Sequence, residues 1–154
     1  MVKIMKVILL GTVLFSLSAF ASTEKINNTA YSVSIEENRT IELANGVALQ
    51  GGGVVHATVV SENGETLSQW CRGTFASTGD SFLGGAGYCT LITQDGDFLW
   101  VWFTPTGATE SKWGVISGTG RYAGATGGGT TTQISASPDG RSTITKSVGI
   151  ITTN

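Results

Sequence analysis

The chain has 154 residues, of which 13% are charged and 40% hydrophobic, with a formal net charge of −2 and 22 glycines. That length suits one ordinary domain, and the thinly scattered basic residues form no cationic stripe that could track phosphates, which excludes a nucleic-acid binder. Two cysteines and one histidine are a thin ligand set for a zinc centre, so neither a metal nor a cofactor is expected.

Lys3 and Lys6 precede the apolar run "VILLGTVLFSLSAFA", which ends in Ala19-Phe20-Ala21. A basic start, an apolar stretch and an A-x-A end are the pattern of a secretory signal, so cleavage is expected between Ala21 and Ser22. The run is about 15 residues, short of the ~20 that a membrane-spanning helix needs. No lipobox cysteine follows it. The expected division is a signal peptide over 1–21, a flexible polar arm over 22–29 and a single domain over 30–154. The mature chain is expected to be secreted or periplasmic, with no membrane span. Losing the two lysines takes its formal charge from −2 to −4.

Beyond the signal, helix patterns are nearly absent and turn signals recur, which predicts an all-β domain. "AYSVSIEE" alternates Tyr31, Val33 and Ile35 against Ser32, Ser34 and Glu36, the pattern of a half-buried strand. After the Asn45-Gly46 turn, Val47, Leu49, Gly51, Gly53, Val55, Ala57 and Val59 are expected on one face, with His56 opposite. Asn63-Gly64 predicts a hairpin. "LSQWCRGTF" puts Trp70 and Arg72 on one face and Cys71, Gly73 and Phe75 on the other. "GAGYCTLIT" puts Cys89 and Leu91 opposite Tyr88, Thr90 and Ile92. Asp95-Gly96 turns into "DFLWVWF", where Phe98, Trp100 and Trp102 oppose Leu99, Val101 and Phe103. Both faces of that strand are apolar, so both are expected to be covered, one by a barrel interior and the other by a second sheet, a loop or another subunit. "KWGVISG", a glycine segment, "GTTTQISAS", a Pro138-Asp139-Gly140 turn and "STITKSVGIITT" complete about eight antiparallel strands, enough to close a small barrel.

Cys71 and Cys89 fall on strands that could pair. In a secreted chain one disulfide is the simplest outcome, and closing its loop would stabilise the fold by about 3 kcal/mol. Free thiols or a redox pair is the alternative, although the Cys-x-x-Cys spacing is missing.

"SGTGRYAGATGGGT" invites comparison with a phosphate-binding loop. Its third glycine is misplaced for a dinucleotide fingerprint, and the glycines that follow would break the helix such a site requires. A structural turn is expected instead, with Gly118, Gly120 and Gly124 permitting the bends and Tyr122 anchoring the loop in the core. "DGD" at 95–97 lacks the further acidic positions of a calcium loop and is expected to be a hairpin turn. His56 is the sole histidine and the default general base, but no nucleophile elbow accompanies it. A packed or surface histidine is the other reading. Trp70, Trp100, Trp102 and Trp113, with His56 and Arg72, are the candidate ligand-binding set. The rings could line a cavity or fill a core.

At "GVISGTGRYAGATGGGT" the chain resembles the allene oxide cyclase and dirigent barrel superfamily, through Gly118, Thr119, Gly120, Tyr122, Ala125 and Gly127. "WCRGTF", "GAGYCT", "DGD" and "GTGRYAG" together look like a group of secreted bacterial proteins without a known activity. The resemblance implies an eight-stranded, calycin-like antiparallel barrel, often trimeric, with an apolar cavity. No catalytic carboxylate or arginine of that superfamily can be matched here. The function expected is therefore binding of a small apolar ligand or service as an interaction module. The alternative is an isomerase or cyclase acting in the cavity on a small hydrophobic substrate, with a buried polar group such as His56, Arg72 or Glu42 facing Trp100 or Trp102. A homo-oligomer is expected from the two-sided apolar strand.

Overall fold

The computed structural model describes residues 21–153. Residues 1–20 of the expected signal peptide lie outside them. The described chain is almost entirely strand: β1 (Ser22–Glu36), β2 (Arg39–Glu42), β3 (Val47–Ser61), β4 (Thr66–Thr78), β5 (Ser81–Ile92), β6 (Phe98–Pro105), β7 (Glu110–Gly118), β8 (Thr126–Ala136) and β9 (Ser142–Thr153). One 3₁₀ turn, Gly120–Tyr122, interrupts the series between β7 and β8. The sheet order runs β1-β9-β8-β7-β6-β5-β4-β3-β2, and β1 also pairs with β3. That last pairing closes an antiparallel barrel of eight strands. β2 does not add a ninth wall. β1 and β2 pair in succession along one edge of β3, β1 with Val54–Ser61 and β2 with Ala48–Gly51.

The turns follow their residue signals. Gly46, Gly64, Gly96 and Gly140 all have positive φ, the conformation that glycine adopts without a Cβ clash. The expected arm at 22–29 is instead the first half of β1, paired with Val148–Thr153 and its neighbours on β9. Its polar side chains suggested a loose end, but a ladder needs only backbone groups.

Two apolar patterns end up other than their alternation predicts. On β1, Ser32 and Ser34 face inward while Tyr31, Val33 and Ile35 are exposed. On β3, Gly51 pairs with Thr74 and Val54 with Arg72, so β3 spends three steps where β4 spends two. This bulge, at Gly52 with positive φ, turns Val47 and Leu49 to the face opposite Val55, Ala57 and Val59.

Inside the barrel, large rings sit against glycines. A Cβ on Gly149 would stand 2.7 Å from Trp113 Cζ2, one on Gly85 2.6 Å from Phe75 Cδ1, and one on Gly87 would meet the Phe103 ring. The core around Trp113 gathers Cys89, Leu99, Val101, Tyr122, Ala125 and Ile151. A second cluster joins Ala30, Ala57, Val59 and Leu67. Among the described residues no large side chain is less than 2% exposed. A solid core of this size would bury several completely, so the interior is hollow.

Candidate functional site

The inward faces enclose a cavity of about 250 Å³. One wall is apolar: Leu67, Leu91, Leu99, Val101, Phe103 and the Cys71–Cys89 disulfide, carried by β4, β5 and β6. The two cysteines are opposed in the β4–β5 ladder with Cα atoms 4.1 Å apart, so the bond fixes the register of that wall. The facing wall is polar. Ser111, Thr131, Ser147, Asn28 and Ser61 stand in one cross-strand row over β7, β8, β9, β1 and β3, and all five line the cavity. Thr131 Oγ1 and Ser147 Oγ share a hydrogen bond of 2.7 Å.

The glycine segment closes one end. β7 and β8 pair only over Glu110–Gly114 and Gly128–Thr132, and the chain between them folds over the barrel. Tyr122, only 5% exposed, reaches the cavity from there. Arg121 Nη2 donates 2.7 Å to Tyr122 Oη and also bonds Glu65 on the β3–β4 turn. Its guanidinium lies over the Tyr122 ring. Asp97 holds the loop from below by accepting the Arg121 backbone N–H at 3.1 Å. Gly120, with positive φ, leaves the room that the Asp97 carboxylate fills. The "DGD" and "GTGRYAG" motifs are thus halves of one structure, a turn and the loop it tethers.

Burial pushes the Tyr122 hydroxyl above its ordinary value; the Arg121 contact opposes this, and the Glu24 and Glu65 carboxylates add to it. Tyr122 therefore stays protonated at neutral pH. Among the described residues, Glu24 and Glu65 are the only carboxylates lining the cavity, and no lysine, arginine or histidine lines it.

Of the six candidate ligand-binding residues, the cavity takes only Trp113, whose Nε1 donates to Thr130 O at 3.3 Å. Trp70, Trp100 and Trp102 are on the outer face, 45%, 39% and 41% exposed. His56 stacks on Trp70 outside, with ring centroids 4.5 Å apart, and its Nε2 lies 3.0 Å from Ser68 Oγ. Arg72 is also outside, near Glu36 at 3.6 Å. Glu42 is exposed on β2. The cavity is not lined by His56, Arg72 or Glu42, and a smaller pocket that Arg72 lines includes neither Trp100 nor Trp102. The reason is periodic for His56, Trp70, Arg72, Trp100 and Trp102, which share the strand face opposite Cys71, Leu99 and Val101. In the glycine segment Gly118 ends β7, Gly120–Tyr122 form the 3₁₀ turn, and Gly120 and Gly124 have positive φ.

Sequence reasoning passed over the polar row. Serines and threonines opposite a more apolar face look like solvent positions, and only the pairing of β1, β3, β7, β8 and β9 brings four of them together with Asn28.

No family model and no curated protein matches the chain. The solved structures similar to the chain include two described as pterocarpan synthase dirigent proteins. GePTS1 superposes with a TM-score of 0.55 at 13% identity, over 86% of this chain and 90% of that one. PsPTS1 gives 0.53 at 14% identity, over 86% and 95%. The fold is a dirigent-like β-barrel.

Proposed function

We propose that this is a secreted or periplasmic barrel that binds one small molecule in its interior. The observation that carries the proposal is the hollow core itself. The cavity has about 250 Å³, room for about eight waters and below the roughly 300–1,000 Å³ of drug-sized sites. That suits a single ring with short substituents. The apolar wall supplies the binding energy, and the absence of a lining cation among the described residues disfavours an anionic ligand. The disulfide and the lysine-led apolar start support an oxidising compartment. An enzymatic version of the same site would use Tyr122 as proton donor, with Glu24 or Glu65 as base.

A cavity-filling variant tests the binding reading. Val55 lines the cavity and is only half buried. Val55→Phe is expected to leave the denaturation midpoint within about 1 kcal/mol of the parent, whereas overpacking a solid core costs 1–3 kcal/mol. It is also expected to abolish the thermal stabilisation that uncharged ring compounds give the parent. Undiminished stabilisation of the variant would place binding elsewhere.

The outer face supports a second reading, as a module that assembles with its own kind. Val33, His56, Trp70, Thr90 and Trp100 follow one another across β1, β3, β4, β5 and β6. Tyr88, Ile92, Phe98 and Trp102 flank this row and are exposed. Aromatic side chains bury 150–250 Å² each, so the belt offers roughly 600 Å² of apolar surface, comparable with the about 800 Å² per partner of a stable interface once a polar rim is added. A belt over five of eight strands can meet two neighbours, as a closed ring requires.

A further inference from the structure

We infer that the Thr131–Ser147 hydroxyl pair sets the specificity of the cavity, by reading an uncharged hydrogen-bonding group on the edge of a ring-sized ligand. This inference rests on the binding reading above and replaces a wholly apolar ligand with an amphipathic one.

The pair belongs to β8 and β9, within the polar row, and lines the same cavity as Leu67 and Leu91 on β4 and β5, the strands opposite in the closed barrel. A hydroxyl carries one donor and two acceptor positions. Within the 2.7 Å contact one hydroxyl donates and the other accepts. Among the described residues neither oxygen has another protein partner. One O–H and several lone pairs are therefore left to face the cavity. The bond between the two hydroxyls holds them in place, so a ligand finds a preset donor and acceptor. A ligand that buried this pair under a purely hydrocarbon edge would strand the free O–H, which is costly. A ligand with a hydroxyl, carbonyl or amide at that edge satisfies it while its ring lies against the aliphatic wall. An alcohol can both give to and take from the pair. A carboxylate can only accept, and it would enter a cavity whose charged lining groups are Glu24 and Glu65.

Benzyl alcohol, toluene and benzoate share one ring and differ at the edge. The parent protein is expected to bind benzyl alcohol about five-fold more tightly than toluene, the ratio of one ordinary hydrogen bond, with benzoate the weakest. The double variant Thr131→Val with Ser147→Ala removes both partners together, so no buried group is orphaned and the fold is expected to hold. It should bind toluene at least as well as the parent and lose the preference for the alcohol. Equal binding of toluene and benzyl alcohol by the parent, or an undiminished preference in the double variant, overturns the assignment while the cavity reading stands. Tightest binding by benzoate also overturns it. Failure of all three probes to bind overturns both.

Discussion

A glycine beside a ring is the recurring residue-scale device in this barrel. Gly149 makes room inside for Trp113, and Gly114 makes room outside for Trp102, where an added Cβ would stand 2.6 Å from Trp102 Nε1. The two sites differ in what can yield. Trp113 is buried and tied to Thr130, and a Cβ on Gly149 would also press on the Gly128 backbone; Trp102 is free to swing into solvent. Gly149→Ala is therefore expected to cost about 2–3 kcal/mol, in the range of core overpacking, and Gly114→Ala about 1 kcal/mol or less. Denaturant midpoints of the two variants read the difference directly. Tyr122 gives a second residue-scale expectation. Its raised hydroxyl value means that the folded state holds a proton which the unfolded chain gives up at about pH 10. That contribution to stability is complete below pH 10 and lost as pH rises through the folded value. In Tyr122→Phe the corresponding loss of melting temperature above pH 10 should be reduced, and a tyrosine titrating above the ordinary value should vanish from an ultraviolet titration.

At the scale of elements, the disulfide and the tethered loop act on different parts of the wall. The bond between β4 and β5 closes a separation of 18 residues, so replacing both cysteines by alanine is expected to cost about 3 kcal/mol in the chain-entropy account. Chemical denaturation with and without a reductant checks this for the parent. The strands were legible because Asn-Gly, Asp-Gly and Pro-Asp-Gly turns divide them, and because Cys71 and Cys89 fall on faces that pair. Orientation was less legible. A half-apolar strand such as β1 normally turns Tyr31, Val33 and Ile35 inward, and here they face outward because the barrel interior is a polar-walled cavity. The Gly52 bulge is likewise hidden in sequence: three successive glycines permit an inserted residue without stating where it falls.

The whole molecule is a hollow barrel with an aromatic exterior, and these two features define its candidate surfaces. Alternation showed that the tryptophans of β6 share a face, but only closure of β1 onto β3 decides which face is inside. Hence the ligand set proposed from composition fell mostly outside, with Trp113 retained. The outer belt predicts a concentration-dependent mass by light scattering, reduced toward monomer by Trp100→Glu with little loss of stability, because Trp100 is exposed in the isolated barrel.

Binding inside the barrel can be read directly at a tryptophan. Trp113 is the only tryptophan lining the cavity, and its indole N–H signal can be assigned by Trp113→Phe. Titration with benzyl alcohol, followed in the indole region of a nitrogen–proton correlation spectrum, is expected to shift the Trp113 signal saturably while those of Trp70, Trp100 and Trp102 stay in place. Saturable shifts of the three outer tryptophans with Trp113 unmoved would place the binding site on the outer face instead.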